Sequence, residues 1–462
     1  MGGGCRPEGC QDGGRAPGRA LERRSARGPG SGHRRHRRRP VGNHRRPDRP
    51  GLRSLCRCRE RCLHPRRRRT SNLAAPRRVR AAGRRPASRD TNRHERASAG
   101  RALTTGLRWA EVDLAAVRAN CGRILAHLPD GSELIAVVKA DGYGHGAVPV
   151  ARAAVEGGAT GLAVATLEEA EAVSELGDVV RGYQILVMGA ITPAQAATAA
   201  AGGWSIAVST RELAAALGDC GELVPVHLKI DTGMGRFGCT PEEAPAIARF
   251  IEESPGLVLA GAWTHFASAD SDDAMTQAQF QLFTKTVAAF GDDPIKQHVC
   301  NSAAALRHPE FALDAVRCGI AIYGCEWPGL QPALSLRSMV THVKTVAAGA
   351  TVGYGATWKA PDKRRVATVA IGYADGVHRA RSNRGQVLVR GHRAPLIGTV
   401  SMDAITVDVT DVHGVQVGDV VTLVGEDGGG RITAEEVAEW SRTISYEVLT
   451  SIGPRVERRY SE

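Results

Sequence analysis

No lysine occurs before Lys139 in this 462-residue chain, and no aromatic residue before Trp109. A surface that stacks nucleic-acid bases needs aromatic side chains among its cations, so the basic leader is not expected to be one, and no nucleic-acid partner is expected. Long apolar runs are also missing. Nothing approaches the roughly 20 apolar residues of a membrane span, and the leader lacks the apolar centre of a secretory signal. Its many Gly and Pro residues would break the amphipathic helix of an organelle transit peptide. Cysteine spacing is uninformative in the same way. Five of the 11 cysteines lie in the leader, where Cys56, Cys58, Cys62 and His64 cluster. Their spacing matches no common zinc pattern and arginines flank them, so no metal is expected. The other six (Cys121, Cys220, Cys239, Cys300, Cys318 and Cys325) sit in or beside apolar runs. They read as buried free thiols of a cytoplasmic protein.

The net charge of +13 conceals two different sequences. Residues 1–100 carry 30 Arg against 7 acidic residues, a net of +23, and the rest of the chain is at −10. The leader is rich in Arg, Gly and Pro and poor in large apolar groups. It cannot bury enough surface to offset its ordering entropy, so residues 1–105 are expected to be disordered. Arginine without lysine fits a GC-rich coding region, and a misplaced start site explains the leader at least as well as a functional arm.

From about Trp109 short apolar runs rich in β-branched residues recur. Eight candidate strands fall at 134–138, 161–165, 184–187, 205–208, 224–230, 257–263, 297–300 and 315–322. Helical stretches separate them, as at 167–176, where Thr166 precedes Glu168 and Glu169. Strand and helix alternating eight times over residues 106–337 predict an α/β fold, a (β/α)8 TIM barrel. A doubly wound open sheet is the alternative that strand counting leaves. Beyond 338 the runs at 340–347, 365–371, 385–389, 397–400, 404–409 and 419–424 are joined by turn residues, with one helix at 433–443. Residues 338–462 are therefore expected to form a mostly β C-terminal domain, and 109–114 could pair with it.

In a barrel, the C-terminal strand ends build the active site. Five candidate strands end in polar groups. The run Ile135-Ala-Val-Val-Lys139-Ala-Asp-Gly-Tyr143-Gly-His145-Gly146 ends in a lysine and a glycine-rich turn. A lysine at an apolar strand edge can have a depressed pKa and form a Schiff base. The glycine spacing is neither a Walker A loop nor a dinucleotide fingerprint. Lys229, Asp231 and Arg236 share one loop suited to an anion. Trp263-Thr-His265 places an imidazole at the mouth. Ser302 and the amides of Gly319 and Ile320 follow the last two strands, where barrels often bind phosphate. Arg317 supplies a guanidinium.

The ordered set A-V-V-K-A-D-G-Y-G-H-G, D-T-G-M-G-R, T-H-F-A-S-A-D, N-S-A-A, R-x-G-I-A-x-Y-G, G-Y-G-A-T, I-G-Y-A-D-G and S-M-D resembles the alanine racemase family from about Leu107 to Arg458. The resemblance implies pyridoxal 5'-phosphate bound to Lys139. It implies cofactor contacts from Tyr143, His265, Ser302, Arg317, Gly319, Ile320 and Tyr446, with Arg317 at the pyridine nitrogen. It makes Lys139 and Tyr354 the two catalytic bases, and Arg236, Met402 and Asp403 substrate contacts. Tyr354, Met402 and Asp403 would reach the site of the partner subunit in a homodimer. Lys229 matches a position that can carry a carbamate. Ser401 stands where many relatives have Cys, and Trp358 where Tyr is common. The implied activity is interconversion of L- and D-alanine for peptidoglycan, with a broader amino-acid racemase on the same scaffold as the alternative. A barrel-type decarboxylase is disfavoured by S-M-D and Tyr354. A barrel-only PLP-homeostasis protein is disfavoured by the domain beyond 338.

Two bases are required because racemisation removes the α-proton from one face and returns it on the other, and each base must reach that proton. An arginine at the ring nitrogen cannot readily give up its own proton, so the implied Arg317 would leave that nitrogen unprotonated.

Overall fold

The computed structural model describes residues 106–462 apart from 181 and 292. The leader, with Cys56, Cys58, Cys62 and His64, lies outside the described residues.

The chain enters on β1 (Arg108–Asp113). The eight barrel strands follow: β2 (Glu133–Val137), β3 (Gly161–Val164), β4 (Gln184–Val187), β5 (Ser205–Val208), β6 (Val224–Lys229), β7 (Leu257–Trp263), β8 (Lys296–His298) and β9 (Ala315–Cys318). Neighbours from β2 to β8 pair in parallel and in sequence order, and β2 pairs with β9. The ring closes between β8 and β9 through Asp314 N–H to Gln297 O (3.1 Å) and Arg317 N–H to Cys300 O (2.9 Å). This is the barrel, not the open sheet. Its strands are buried on both faces, which is why they read as continuous apolar runs rather than alternating ones. Helix starts are set locally. Thr166 accepts from Glu169 N–H and Glu169 returns a bond to the Thr166 backbone, opening Leu167–Ser174.

One expected strand is shorter than its apolar run. Residues 315–322 were expected to be extended throughout, but β9 stops at Cys318. Gly319 then turns the chain into a 3-10 segment, Ile320–Tyr323. The apolar character of that segment comes from burial, not from extension.

The mostly β region beyond the barrel is built on β10 (Leu334–Val346). Its nine-stranded sheet runs, in spatial order, Gly430–Ile432, Val420–Asp427, Gln386–Val389, His392–Ile397, Ile405–Asp408, Arg364–Val369, β10, β1 and Glu457–Ser461. The segment expected at 109–114 does pair here: β1 lies antiparallel to β10 and parallel to Glu457–Ser461. That last strand, Glu-Arg-Arg-Tyr-Ser, has no apolar alternation and gave no signal in the sequence. One continuous apolar cluster joins the barrel to this sheet.

Asp375 ties the entry strand β1 to the C-terminal segments. Its carboxylate is fully buried, accepts two bonds from Arg108 Nη1 at 2.8 Å, and lies 3.1 Å from Arg455 Nε. It also accepts Gly372 N–H at 2.9 Å. Removing it leaves the Arg108 guanidinium without a carboxylate and one buried amide without an acceptor, while Arg455 keeps Asp403. Asp375→Ala should lower unfolding free energy by roughly 2–4 kcal/mol, measured by urea denaturation, with Asp375→Asn losing less. Equal stability of the alanine variant and wild type would contradict this account.

Candidate active site

Lys139 stands two residues beyond the end of β2. The next four residues, Ala140, Asp141, Gly142 and Tyr143, all have left-handed φ values (52°, 51°, 59° and 52°). Each non-glycine residue in that conformation costs ~1–2 kcal/mol, so the turn must be held from outside. Glu169 Oε1 accepts Ala140 N–H at 2.7 Å, and Asp141 Oδ1 accepts Ala147 N–H at 2.9 Å. Arg458, from the last strand, donates from Nε to Gly144 O at 3.0 Å. A Cβ on Gly144 would collide with Leu449 O, and one on Gly146 with the Tyr460 hydroxyl. The C-terminal segment thus clamps the lysine turn, and glycine is what lets it approach.

The turn opens onto a cavity of about 300 Å³. Eight residues expected from the sequence line it: Lys139, Tyr143, His265, Ser302, Arg317, Gly319, Ile320 and Tyr446. Asn301, Met188, Val137, Ala140 and Thr450 complete the wall. At one end Ser302 Oγ accepts Gly319 N–H at 3.0 Å. A Cβ on Gly319 would run into the Tyr143 hydroxyl, so this glycine keeps that end open. Tyr143 packs between Tyr323 and Tyr446, at 4.9 and 5.9 Å between ring centroids. Burial pushes its phenol up to about 12 and raises that of Tyr446 further, so both are neutral donors.

Arg317, buried, lines the same cavity. Nη1 donates to His298 O (2.6 Å) and His298 Nδ1 (2.8 Å). Nη2 donates to Thr264 O (2.8 Å), Val299 O (3.1 Å) and His265 Nδ1 (3.4 Å). The Trp263 ring lies 4.7 Å from the guanidinium carbon. Nε alone is buried with no partner among the described residues.

Charge around Lys139 is balanced against its proton. Burial lowers its pKa first, the Arg236 guanidinium lowers it further, and Glu169 opposes both. Arg236 itself is exposed and does not line the cavity. It extends from a loop that Asp231 ties down by accepting the amides of Gly233, Met234 and Gly235 at 2.9–3.1 Å. Lys229 is buried between Phe237 and Trp263, and burial brings its amine down to about 8.

Three further expected residues lie outside the cavity. Tyr354 is 72% exposed and Met402 51% exposed, and the Asp403 carboxylate bonds Arg455 of the same chain at 2.7 Å. Sequence reasoning also missed polar groups at and behind the site: Glu169 at Ala140, His298 at Arg317, and His227 and Gln184 in line behind His298. Glu169 carried the signal of a helix-opening acid only. His227 stands two residues before Lys229 on β6, so strand parity points both the same way, and that signal was available.

These features define a class: barrel enzymes that build one site from a strand-end lysine, a buried arginine and a serine–glycine cup. Comparison with known proteins narrows it. The profile described as alanine racemase, N-terminal domain, matches residues 112–326, and the one described as alanine racemase, C-terminal domain, matches 333–460. An alanine racemase of Symbiobacterium thermophilum is 43% identical over 367 residues, covering 76% of this chain and 96% of its own length. The crystal structure of alanine racemase from E. faecalis is 38% identical with a TM-score of 0.73, covering 77% of this chain and 98% of that one. The Bartonella henselae alanine racemase, solved with covalently bound pyridoxal phosphate, is 28% identical with a TM-score of 0.71, covering 77% and 100%. The chain belongs to the alanine racemase family, a family of isomerases.

The charge balance at Lys139 is directly testable. A buried amine beside a cation loses its proton below the ordinary lysine value, so its reaction with trinitrobenzenesulfonate in the cofactor-free protein should show a midpoint below that value. Arg236→Gln should move the midpoint up, and Glu169→Gln should move it down. A wild-type midpoint at the solvent value, read by mass spectrometry of the Lys139 peptide, would refute the electrostatic account.

Proposed function

We propose that the protein interconverts L- and D-alanine with pyridoxal 5'-phosphate as cofactor, as a cytoplasmic homodimer that supplies D-alanine for peptidoglycan. The observation that carries this reading is one cavity lined by Lys139, Ser302, Gly319 and Arg317, the last with a partnerless Nε. The family membership supports the same reaction. Among the described residues, no helix is long and apolar enough to cross a membrane.

The residues fit the cofactor. A buried N–H donor without a partner suits an unprotonated ring nitrogen, which accepts. The Gly319 backbone, where a side chain would fill the space, suits a phosphate held by Ser302, the Gly319 and Ile320 amides, Tyr143 and Tyr446. When bound, pyridoxal phosphate supplies the electron sink that makes the α-proton of an attached amino acid removable. Lys139 would hold it covalently and then serve as one base; burial and Arg236 lower its pKa below the ordinary lysine value, which favours the neutral amine. Arg317 keeps its own proton, so it donates to the ring nitrogen without protonating it. His265 lies against the same guanidinium, kept neutral by burial and by the cations around it.

Reprotonation from the opposite face needs a second base, and Lys139 is the one amine lining the cavity. Tyr354 of the partner subunit fills this role, with Met402 and Asp403 of the partner subunit and Arg236 on the substrate carboxylate. Exposure of Tyr354 and Met402 in the single chain supports their use across an interface. The lowered pKa of Lys229 supports a carbamate there, since only a neutral amine takes up carbon dioxide.

Purified protein with PLP should form D-alanine from L-alanine, and Lys139→Ala should abolish it; PLP binding without turnover of alanine would leave the cavity reading standing and remove the substrate assignment. The shared site has its own test. Lys139→Ala and Tyr354→Phe homodimers should each be inactive. Dissociated and reassociated together, they should regain about a quarter of wild-type activity, because a mixed dimer rebuilds one intact site. No recovery after verified subunit exchange would place both bases in one chain.

A further inference from the structure

A line of polar groups crosses the barrel interior, where branched apolar side chains are the rule. Gln184 opens β4, His227 lies in β6, His298 ends β8 and Arg317 lies in β9. The Gln184 side-chain amide stands 2.9 Å from Ser205 Oγ and 2.5 Å from His227 Nε2. His227 Nδ1 is 2.8 Å from His298 Nε2, and His298 Nδ1 is 2.8 Å from Arg317 Nη1. Both imidazoles are fully buried. The space for His227 is reserved by Gly261 on β7, where a Cβ would stand 2.5 Å from its Nδ1.

The proton order follows from one end of the line. A guanidinium only donates, so His298 Nδ1 accepts from Arg317. A neutral His298 then carries its proton on Nε2 and donates it to His227 Nδ1. His227 must carry its own proton on Nε2. The amide atom facing it has to be an acceptor, which makes it Gln184 Oε1; the two ends of an amide are distinguished only by such bonds. Ser205 Oγ donates to the same oxygen. Both rings are neutral, because burial, with Lys296 and Arg317 nearby, pushes His227 down to about 3 and His298 well below the ordinary imidazole value.

We propose that Gln184 is a positioning residue for Arg317: as the terminal acceptor it fixes the tautomers of His227 and His298, and so holds both Nη groups on the barrel wall and leaves Nε for the cavity ligand. Without that oxygen, His227 has two choices. It buries an unsatisfied N–H, or it takes the other tautomer. The second choice forces His298 to carry its proton on Nδ1, directly against the guanidinium. The link to the cofactor rests on the reading of Arg317 given above; the proton order does not.

The test begins with wild-type protein labelled with 15N-histidine, with and without PLP. Both His227 and His298 should be neutral and protonated on Nε2; a proton on Nδ1 of either ring overturns the proposal. Gln184→Met keeps the length of the side chain and removes the acceptor, while Gln184→Glu keeps an acceptor oxygen. The Met variant should lose the uniform tautomer pattern, bind PLP about tenfold more weakly by absorbance titration, and lose kcat with the KM for alanine held, a loss on the scale of one buried hydrogen bond. The Glu variant should retain both Nε2 protons and most of the PLP affinity. A Met variant that keeps the tautomers and the affinity also overturns the proposal. If it fails to fold, the wild-type spectra and the Glu variant still decide. Failure of wild type to bind PLP would count against the functional reading, with the tautomers scored independently in the cofactor-free protein.

Discussion

A guanidinium buried inside a barrel is the constraint around which this site is arranged. No carboxylate pairs with Arg317 among the described residues. A buried charge is tolerated only when its donors are satisfied. Here three backbone carbonyls, two imidazole nitrogens and the face of Trp263 do that. Several features that otherwise look independent follow from this. The histidines must be neutral, since a second positive charge at 2.8 Å would be repelled. The strand ends of β7 and β8 must present carbonyls inward, because Thr264 O, His298 O and Val299 O are the acceptors. Arg317 lines the cavity, and the one N–H left over is its Nε, which the proposed ligand would complete.

A second constraint acts at Lys139. The left-handed turn after it is unfavourable in isolation, and both parts of the body contribute to holding it. The barrel supplies Glu169 and Asp141, and the C-terminal segment supplies Arg458 and the backbone of Leu449. The lysine is therefore placed by the second domain as well as by its own strand. The same residues also set its charge: Glu169 both anchors the turn and opposes the loss of the lysine proton. Position and basicity are coupled here because one carboxylate serves both.

The exposed residues complete this logic. A cavity with one amine can handle a proton on one face only. Tyr354 and Met402 are large side chains left in solvent by the single chain, a cost that the proposed interface would offset. Asp375 lies on the same body of structure. It joins β1 to the segment 372–376, next to the Ser401–Met402 turn, whose backbone accepts Tyr373 and Ala374 N–H. The tie that holds the sheet to the entry strand thus also steadies the turn proposed to cross to the partner.

Much of this was legible in the sequence because local chemistry determined it. Strands buried on both faces must be apolar throughout, so all eight barrel strands could be read to within a few residues. Polar residues ending those strands marked the cavity wall, since a barrel has only one place for such groups. What the sequence could not show was set by distance in space. The final strand has no pattern of its own and pairs only because β1, over 340 residues earlier, offers an edge. The extended reading of 315–322 failed because burial makes a turn as apolar as a strand. The run of Gln184, His227 and His298 has no spacing that could reveal it, because the three residues sit on three different strands and meet only across the closed barrel. A hydrogen bond needs atoms within about 3 Å, and for groups so far apart in the chain only the closure of the ring brings them that close.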